Sequence, residues 1–178
     1  MIEPIDVSPR LAEWANLADF TLTPGRRTDD GRALFWSVGG ETRLFIGKNH
    51  DGCYLVTDSF RMGPEKFRFA APLMDTVERY LLGRFGEDIR ALGELPPVHI
   101  PGSEEEISAG FTIDSRPFAG VERRALIASD GSTVAIISGG KLIATIELVA
   151  LSLYLTTTVD DIVTSFLDPG GKPLFRPR

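Results

Sequence analysis

Two histidines and one cysteine are the residues of this 178-residue chain best suited to acid–base, nucleophilic or metal chemistry. His50 stands three residues before Cys53, which would suit a thiol–imidazole dyad or half of a metal site. Two ligands across a turn do not hold a metal, and no second pair follows at ligand spacing. Cys53 opens an apolar run, where a buried, inert thiol is the common outcome. His50, in Asn49-His50-Asp51-Gly52, and His99, between Pro97 and Pro101, both read as solvated loop residues. Gly139-Gly140-Lys141 lacks the spaced glycines and the hydroxyl residue after Lys that a phosphate loop needs. No serine sits in a Gly-x-Ser-x-Gly elbow. The acids Asp160-Asp161 and Glu104 to Glu106 fit a helix start, where the dipole favours negative charge, better than an acid–base pair. The expectation is a protein with no catalytic residues, no metal and no cofactor. The enzyme alternative is a small hydrolase using His50 with Cys53 or a carboxylate.

A different chemistry, that of recognition, is concentrated in Phe60, Arg61, Met62, Gly63, Pro64, Glu65 and Lys66. Aromatics, Met and Arg are the side chains favoured at protein interfaces, where a few anchors supply most of the binding energy. These seven residues are the candidate interface. The competing reading is a β-hairpin whose Phe60 and Met62 plug the edge of the core.

The elements around these residues follow from pattern. Ser8 caps a helix with Pro9 at its first position and Leu11, Trp14, Ala15 and Ala18 on one face. It ends near Asp19, and Phe20 to Thr23 reads as a strand stopped by Pro24-Gly25. Ala33 to Val38 and Thr42 to Lys48 flank Gly39-Gly40 as a hairpin. Cys53 to Asp58 and Lys66 to Phe69 continue the meander. Leu73 to Leu92 is the clearest helix, with Val77, Tyr80, Leu81, Phe85, Ile89 and Leu92 in one stripe. Gly83 and Gly86 within it suggest close packing on the sheet. Gly93 to Ser108, with Pro96-Pro97, Pro101-Gly102 and three glutamates, reads as a linker. Beyond it, Val121 to Ala128, Thr133 to Ser138 and Lys141 to Ile146 read as strands. Glu147 to Thr157 is ambiguous and leans helical in its second part. Thr158 caps a last helix through Ile162, Val163 and Phe166 that Pro169-Gly170-Gly171 ends.

The fold class expected is therefore α+β, with antiparallel hairpins and helices packed on one side. Residues 1–178 form one domain in this reading, as two similar halves, 1–92 and 107–178, joined by the linker 93–106. Asp30-Gly31 before Gly39-Gly40 matches Asp130-Gly131 before Gly139-Gly140, which suggests internal duplication.

Composition narrows the function classes. Lys and Arg number 19 against 25 Asp and Glu, a net charge of −6, so the basic stripe that phosphate binding needs is missing. A protein partner with a basic surface suits this balance. A single cysteine rules out an intrachain disulfide. No basic flank and apolar run marks a signal peptide at Met1 to Asp6, and Leu142 to Leu155 is short for a membrane span. The expectation is a cytoplasmic protein with no membrane contact.

Five segments, Trp14 to Phe20, Glu41 to Gly47, Gly52 to Ser59, Phe67 to Ala71 and Val77 to Leu81, together resemble actinobacterial immunity proteins of polymorphic toxins. The likeness is to immunity factors of the tuberculosis necrotizing toxin type, and the ending Asp160 to Phe175 shares it. It covers most of the chain outside roughly residues 93–122 and rests on packing and turn patterns. It implies a protein that binds a secreted NAD-hydrolysing toxin one to one, occludes its active site and uses no cofactor. A secretion-system adaptor or chaperone is the other alternative to inhibition.

Overall fold

The computed structural model describes residues 3–23 and 28–178; the expected stop at Pro24-Gly25 lies outside them. Helix α1, Pro9–Leu17, starts where the Ser8 hydroxyl accepts from the Leu11 amide, and it buries Leu11, Trp14 and Ala15. Strands β1 (Phe20–Leu22), β2 (Ala33–Ser37), β3 (Thr42–Lys48), β4 (Tyr54–Phe60) and β5 (Lys66–Ala71) form the expected meander. Helix α2, Met74–Leu92, follows. After the connector come β6 (Val98–His99), β7 (Phe111–Phe118), β8 (Val121–Ala128), β9 (Thr133–Ile137), α3 (Lys141–Leu155), α4 (Val159–Leu167) and β10 (Arg176–Pro177).

Eight of these strands make one antiparallel sheet in the order β1-β2-β3-β4-β5-β9-β8-β7. The two halves of the chain meet in its middle, where Phe69 faces Ile137 and Ala70 faces Ile136. The helices cover one face. Phe35, Leu44, Ile46, Val56 and Phe69 meet Leu81 and Phe85 of α2, Leu148 and Leu151 of α3, and Phe166 of α4 in a single buried cluster. Each such side chain contributes about 1.5–3 kcal/mol by leaving water. The other face carries a smaller cluster of Ala70, Ala125, Ile127 and Ile136, flanked by Cys53, Leu55, Phe67 and Phe118.

Three expectations are corrected. Lys141 to Ile146 is the first part of α3 and not a strand. Its β-branched residues resemble a strand locally, but β9 already has β5 on one side and β8 on the other, so no free edge was left to pair with. Consequently Gly39-Gly40 leads into a strand and Gly139-Gly140 into a helix, and the parallel between the halves breaks there. The connector Gly93 to Ser108 is not a featureless linker. It holds β6, paired antiparallel to β10, and a tight turn at Glu104–Glu106. Gly83 and Gly86 pack on helices and not on the sheet: a Cβ at Gly83 would overlap the Tyr154 ring, and one at Gly86 the Phe166 ring. Strand β7 went unread because Pro117 interrupts it, yet β7 is an edge strand, where a missing amide costs little.

Candidate functional site

The candidate interface lies at the tip of the β4–β5 hairpin. The Gly63 amide donates to the Phe60 carbonyl at 2.9 Å and closes a two-residue turn. Arg61 and Met62, its central residues, have φ of 47° and 59°. Such turns ordinarily take Asn-Gly, because both central residues must adopt the left-handed region. Two side-chain-bearing residues held there cost on the order of 1–3 kcal/mol each, a strain concentrated at functional sites. Gly63 is needed because an added Cβ would stand 2.9 Å from the Phe60 carbonyl oxygen. Phe60 is 57% exposed and Met62 69%, so neither plugs the core. Pro64 and Lys66 are exposed as well.

The tip is held by its own base. The Arg61 amide donates to the Glu41 carbonyl at 2.7 Å; its guanidinium stands 5.0 Å from the Phe60 ring centroid and 3.3 Å from the Glu41 carboxylate. The Ser59 hydroxyl donates to the Gly63 carbonyl at 2.9 Å and accepts from Arg43 Nη2 at 2.8 Å. The Glu65 carboxylate accepts from Arg32 Nη1 at 2.6 Å and from the Thr57 hydroxyl at 2.8 Å. Burial opposes the charge on Glu65, but these two hydrogen bonds outweigh it and hold the carboxyl below its ordinary range.

Through Arg32 and Arg43 the tip continues onto the helix-free face of the sheet. Arg32 stacks on Phe45 at 4.4 Å, and Arg43 lies 5.5 Å from Phe45 and 5.8 Å from Trp36. Farther along, Arg123 stacks on Phe67 at 4.4 Å, with Phe118 5.1 Å beyond. Among the described residues no carboxylate pairs with Arg43 or Arg123. This Arg–aromatic shelf escaped the sequence reading. Its signal was present in the alternation of Leu34 with Trp36 and of Arg43 with Phe45, but strand alternation alone does not say which face the helices cover.

The residues proposed for chemistry do not converge. His50 is 88% exposed on its turn, with Asp51 at 3.4 Å as its neighbour. Burial and the Asp51 charge push the Cys53 thiol up, away from the thiolate that nucleophilic attack needs. His99 is not a solvated loop residue: it lies in β6, with Nε2 2.5 Å from Glu106. The other Glu106 oxygen accepts from the Gly102 and Ser103 amides and the Ser103 hydroxyl, so the pair serves as a turn lock. Asp160 pairs with Arg10 at 2.5 Å. Among the described residues no group of three His, Cys, Asp or Glu could hold a metal, and no helix is long and apolar enough to cross a membrane. What the surface offers is a stiff, exposed hairpin tip beside an Arg–aromatic shelf, an arrangement suited to docking.

Comparison with known proteins gives the same direction. The family described as Immunity protein 61 matches residues 14–174, and so spans the connector and β7 that the sequence likeness left out. A protein called "Immunity factor for TNT", from Mycobacterium tuberculosis (strain ATCC 25618 / H37Rv), is 41% identical over 171 residues. That match covers 96% of this chain and 93% of the relative. A homolog from Mycobacterium bovis (strain BCG / Pasteur 1173P2) is equally similar. The solved structure of Rv3902c from M. tuberculosis superposes with a TM-score of 0.88 at 40% identity, over 97% of this chain and 95% of that one. This chain belongs to the Immunity protein 61 family.

Proposed function

We propose that this protein neutralises a NAD-hydrolysing toxin in the cytoplasm of the cell that makes it, by forming a one-to-one complex that occludes the toxin's active site. It acts by binding, without turnover or a cofactor. Family membership supports the immunity role, and the likeness to an immunity factor for TNT supports the choice of toxin. The observation that carries the contact surface is the hairpin tip, where Phe60 and Met62 stand exposed at a turn whose two central residues, Arg61 and Met62, are left-handed and which Glu41 and Ser59 hold. A partner then meets a preformed anchor and does not bear the cost of ordering it.

The test is to mix the purified protein with the toxin encoded beside its gene and follow NAD consumption. Inhibition complete at one equivalent is expected. Met62→Ala and Phe60→Ala should each weaken inhibition by about tenfold or more, as anchor residues do, while melting like the wild type. Undiminished hydrolysis with no complex on a sizing column would overturn the immunity reading. Full inhibition by both variants would move the contact away from the tip.

A further inference from the structure

The arginines of this chain divide by face. On the helical side Arg10, Arg68, Arg79 and Arg124 each stand within 2.9 Å of a carboxylate. On the helix-free face Arg32 is satisfied in the same way by Asp30 and Glu65, and Arg116 by Asp114. Arg43 and Arg123 differ. Both are half-buried, and among the described residues neither has a carboxylate partner. Arg43 lies beside the rings of Phe45 and Trp36 and donates through Nη2 to the Ser59 hydroxyl at 2.8 Å. Ser59 in turn donates to the Gly63 carbonyl, which ties Arg43 to the hairpin tip. Arg123 stacks on Phe67 and stands directly opposite Arg116 in the register of β8 on β7. Like charges placed so repel, and Asp114 offsets only one of the two. A chain with a net charge of −6 thus keeps two uncompensated guanidiniums on one face.

We infer that this shelf receives an acidic segment of the toxin, with one carboxylate on Arg43 and another on Arg123. The inference rests on the immunity role proposed above and names the chemistry that the partner must bring. A guanidinium lying with its face on a ring still presents N–H donors at its edge, and that fork matches a carboxylate. Held by rings, it loses little side-chain freedom when the acid arrives. A carboxylate opposite Arg123 also relieves its repulsion with Arg116. The negative charge of the whole chain disfavours a nucleic-acid strand as the occupant. That same charge favours a basic toxin surface elsewhere, which the shelf would repel, so the two together fix how the toxin is oriented. The tip supplies apolar anchors, and the shelf supplies register.

The experiment titrates the toxin encoded beside the gene with the full chain and its variants, reading NAD hydrolysis. Arg43→Met and Arg123→Met keep an apolar stem against the ring and remove the charge. Each should weaken inhibition about tenfold, the scale of a lost charge-assisted hydrogen bond, with a melting curve like the wild type's. Arg43→Lys keeps the charge without the fork and should recover only part. Arg10→Gln, whose partner Asp160 lies on the helical side, should inhibit as the wild type does. Exposed Asp and Glu of the toxin are then exchanged one at a time for Asn and Gln, which leaves this chain intact. One exchange should cost the wild type about tenfold and cost Arg43→Met nothing further, the mark of a direct pair. Full inhibition by both Met variants would overturn the shelf and leave the immunity role standing. Weakened inhibition with no coupled toxin carboxylate would overturn the acidic occupant. Absence of inhibition by the wild type would overturn the immunity role, and the shelf with it.

Discussion

Glycine 86 shows how one residue can set the sign of a substitution. Exchanging a helix-interior glycine for alanine ordinarily stabilises by about 1 kcal/mol, through backbone entropy. Here the new methyl would overlap the Phe166 ring. That ring cannot retreat, since it is fully buried between Trp14, Tyr154 and Phe175. Overpacking costs about 1–3 kcal/mol or more, so Gly86→Ala should lower stability by roughly 2 kcal/mol, read from the urea midpoint. A raised midpoint would mean that α4 shifts freely on α2. Glu147 carries an opposite expectation. Burial lifts its carboxyl above the ordinary value of 4.5, and Arg84, the Tyr80 hydroxyl and Arg68 only partly offset this. The folded state therefore holds that proton more tightly than the unfolded chain, and stability is lost as pH rises above about 4.5. Glu147→Gln keeps an acceptor for Tyr80 and removes the charge. It should raise the melting temperature at pH 7 and make no difference below the ordinary carboxylate range. A gain that persisted in acid would show that the charge is not its cause.

Among the elements, α4 depends most on a single side chain outside itself. Arg90, 7% exposed on α2, donates through Nη1 to the carbonyls of Phe166 at 3.0 Å and Asp168 at 2.7 Å. Through Nη2 it donates to Pro96 at 2.5 Å and Pro169 at 3.1 Å. The last carbonyls of a helix have no partners within it and form the negative end of its dipole, so one guanidinium both caps α4 and ties down the connector after α2. Arg90→Met should cost about 3 kcal/mol or more, because it leaves several buried carbonyls unpaired. Arg90→Lys should recover only part, since an ammonium cannot span both groups. Faster amide exchange confined to α4 and to residues 94–98 would confirm the route, and a wild-type melting curve would refute it. None of this was legible in the sequence, where Arg90 sits on an ordinary polar flank. What was legible had a local cause. The Ser8 and Thr158 caps, the Gly39-Gly40 turn and the α2 stripe from Val77 to Ile89 each act within a few residues; Leu92, expected in that stripe, is exposed at the end of the helix. The strand expected at Lys141 to Ile146 failed because its state is decided by the filled edges of β9, a fact about distant chain. The candidate tip could be proposed from its residue types; its shelf could not, because Arg32, Trp36, Arg43 and Phe45 are gathered only by the register of β2 on β3.

For the whole molecule, the issue is whether the two halves are separable units. Their sequences suggest it: each supplies strands and then a helix. Their packing argues for mutual dependence. Residues 1–92 contribute β5 and the glycine notches of α2, and residues 107–178 contribute β9, Tyr154 and Phe166, which fill them. Without the second half, Phe69, Phe85 and Leu81 would lose much of the cover that keeps them fully buried. The first half without that cover exposes large apolar area, at about 25 cal/mol per Å², against a total stability of only about 5–15 kcal/mol. The chain should therefore unfold as one cooperative unit. Its two tryptophans make the test direct, because Trp14 and Trp36 both lie in the first half while circular dichroism reports helices from both. Trp14 is also wired to the junction, donating from Nε1 to the Leu82 carbonyl at 2.9 Å and lying 6.5 Å from Phe166. In urea the fluorescence and dichroism transitions should coincide, with one midpoint and one slope. A tryptophan transition displaced from the dichroism transition would mean that the halves are independently stable, and that the sheet pairing at Phe69–Ile137 joins two folding units.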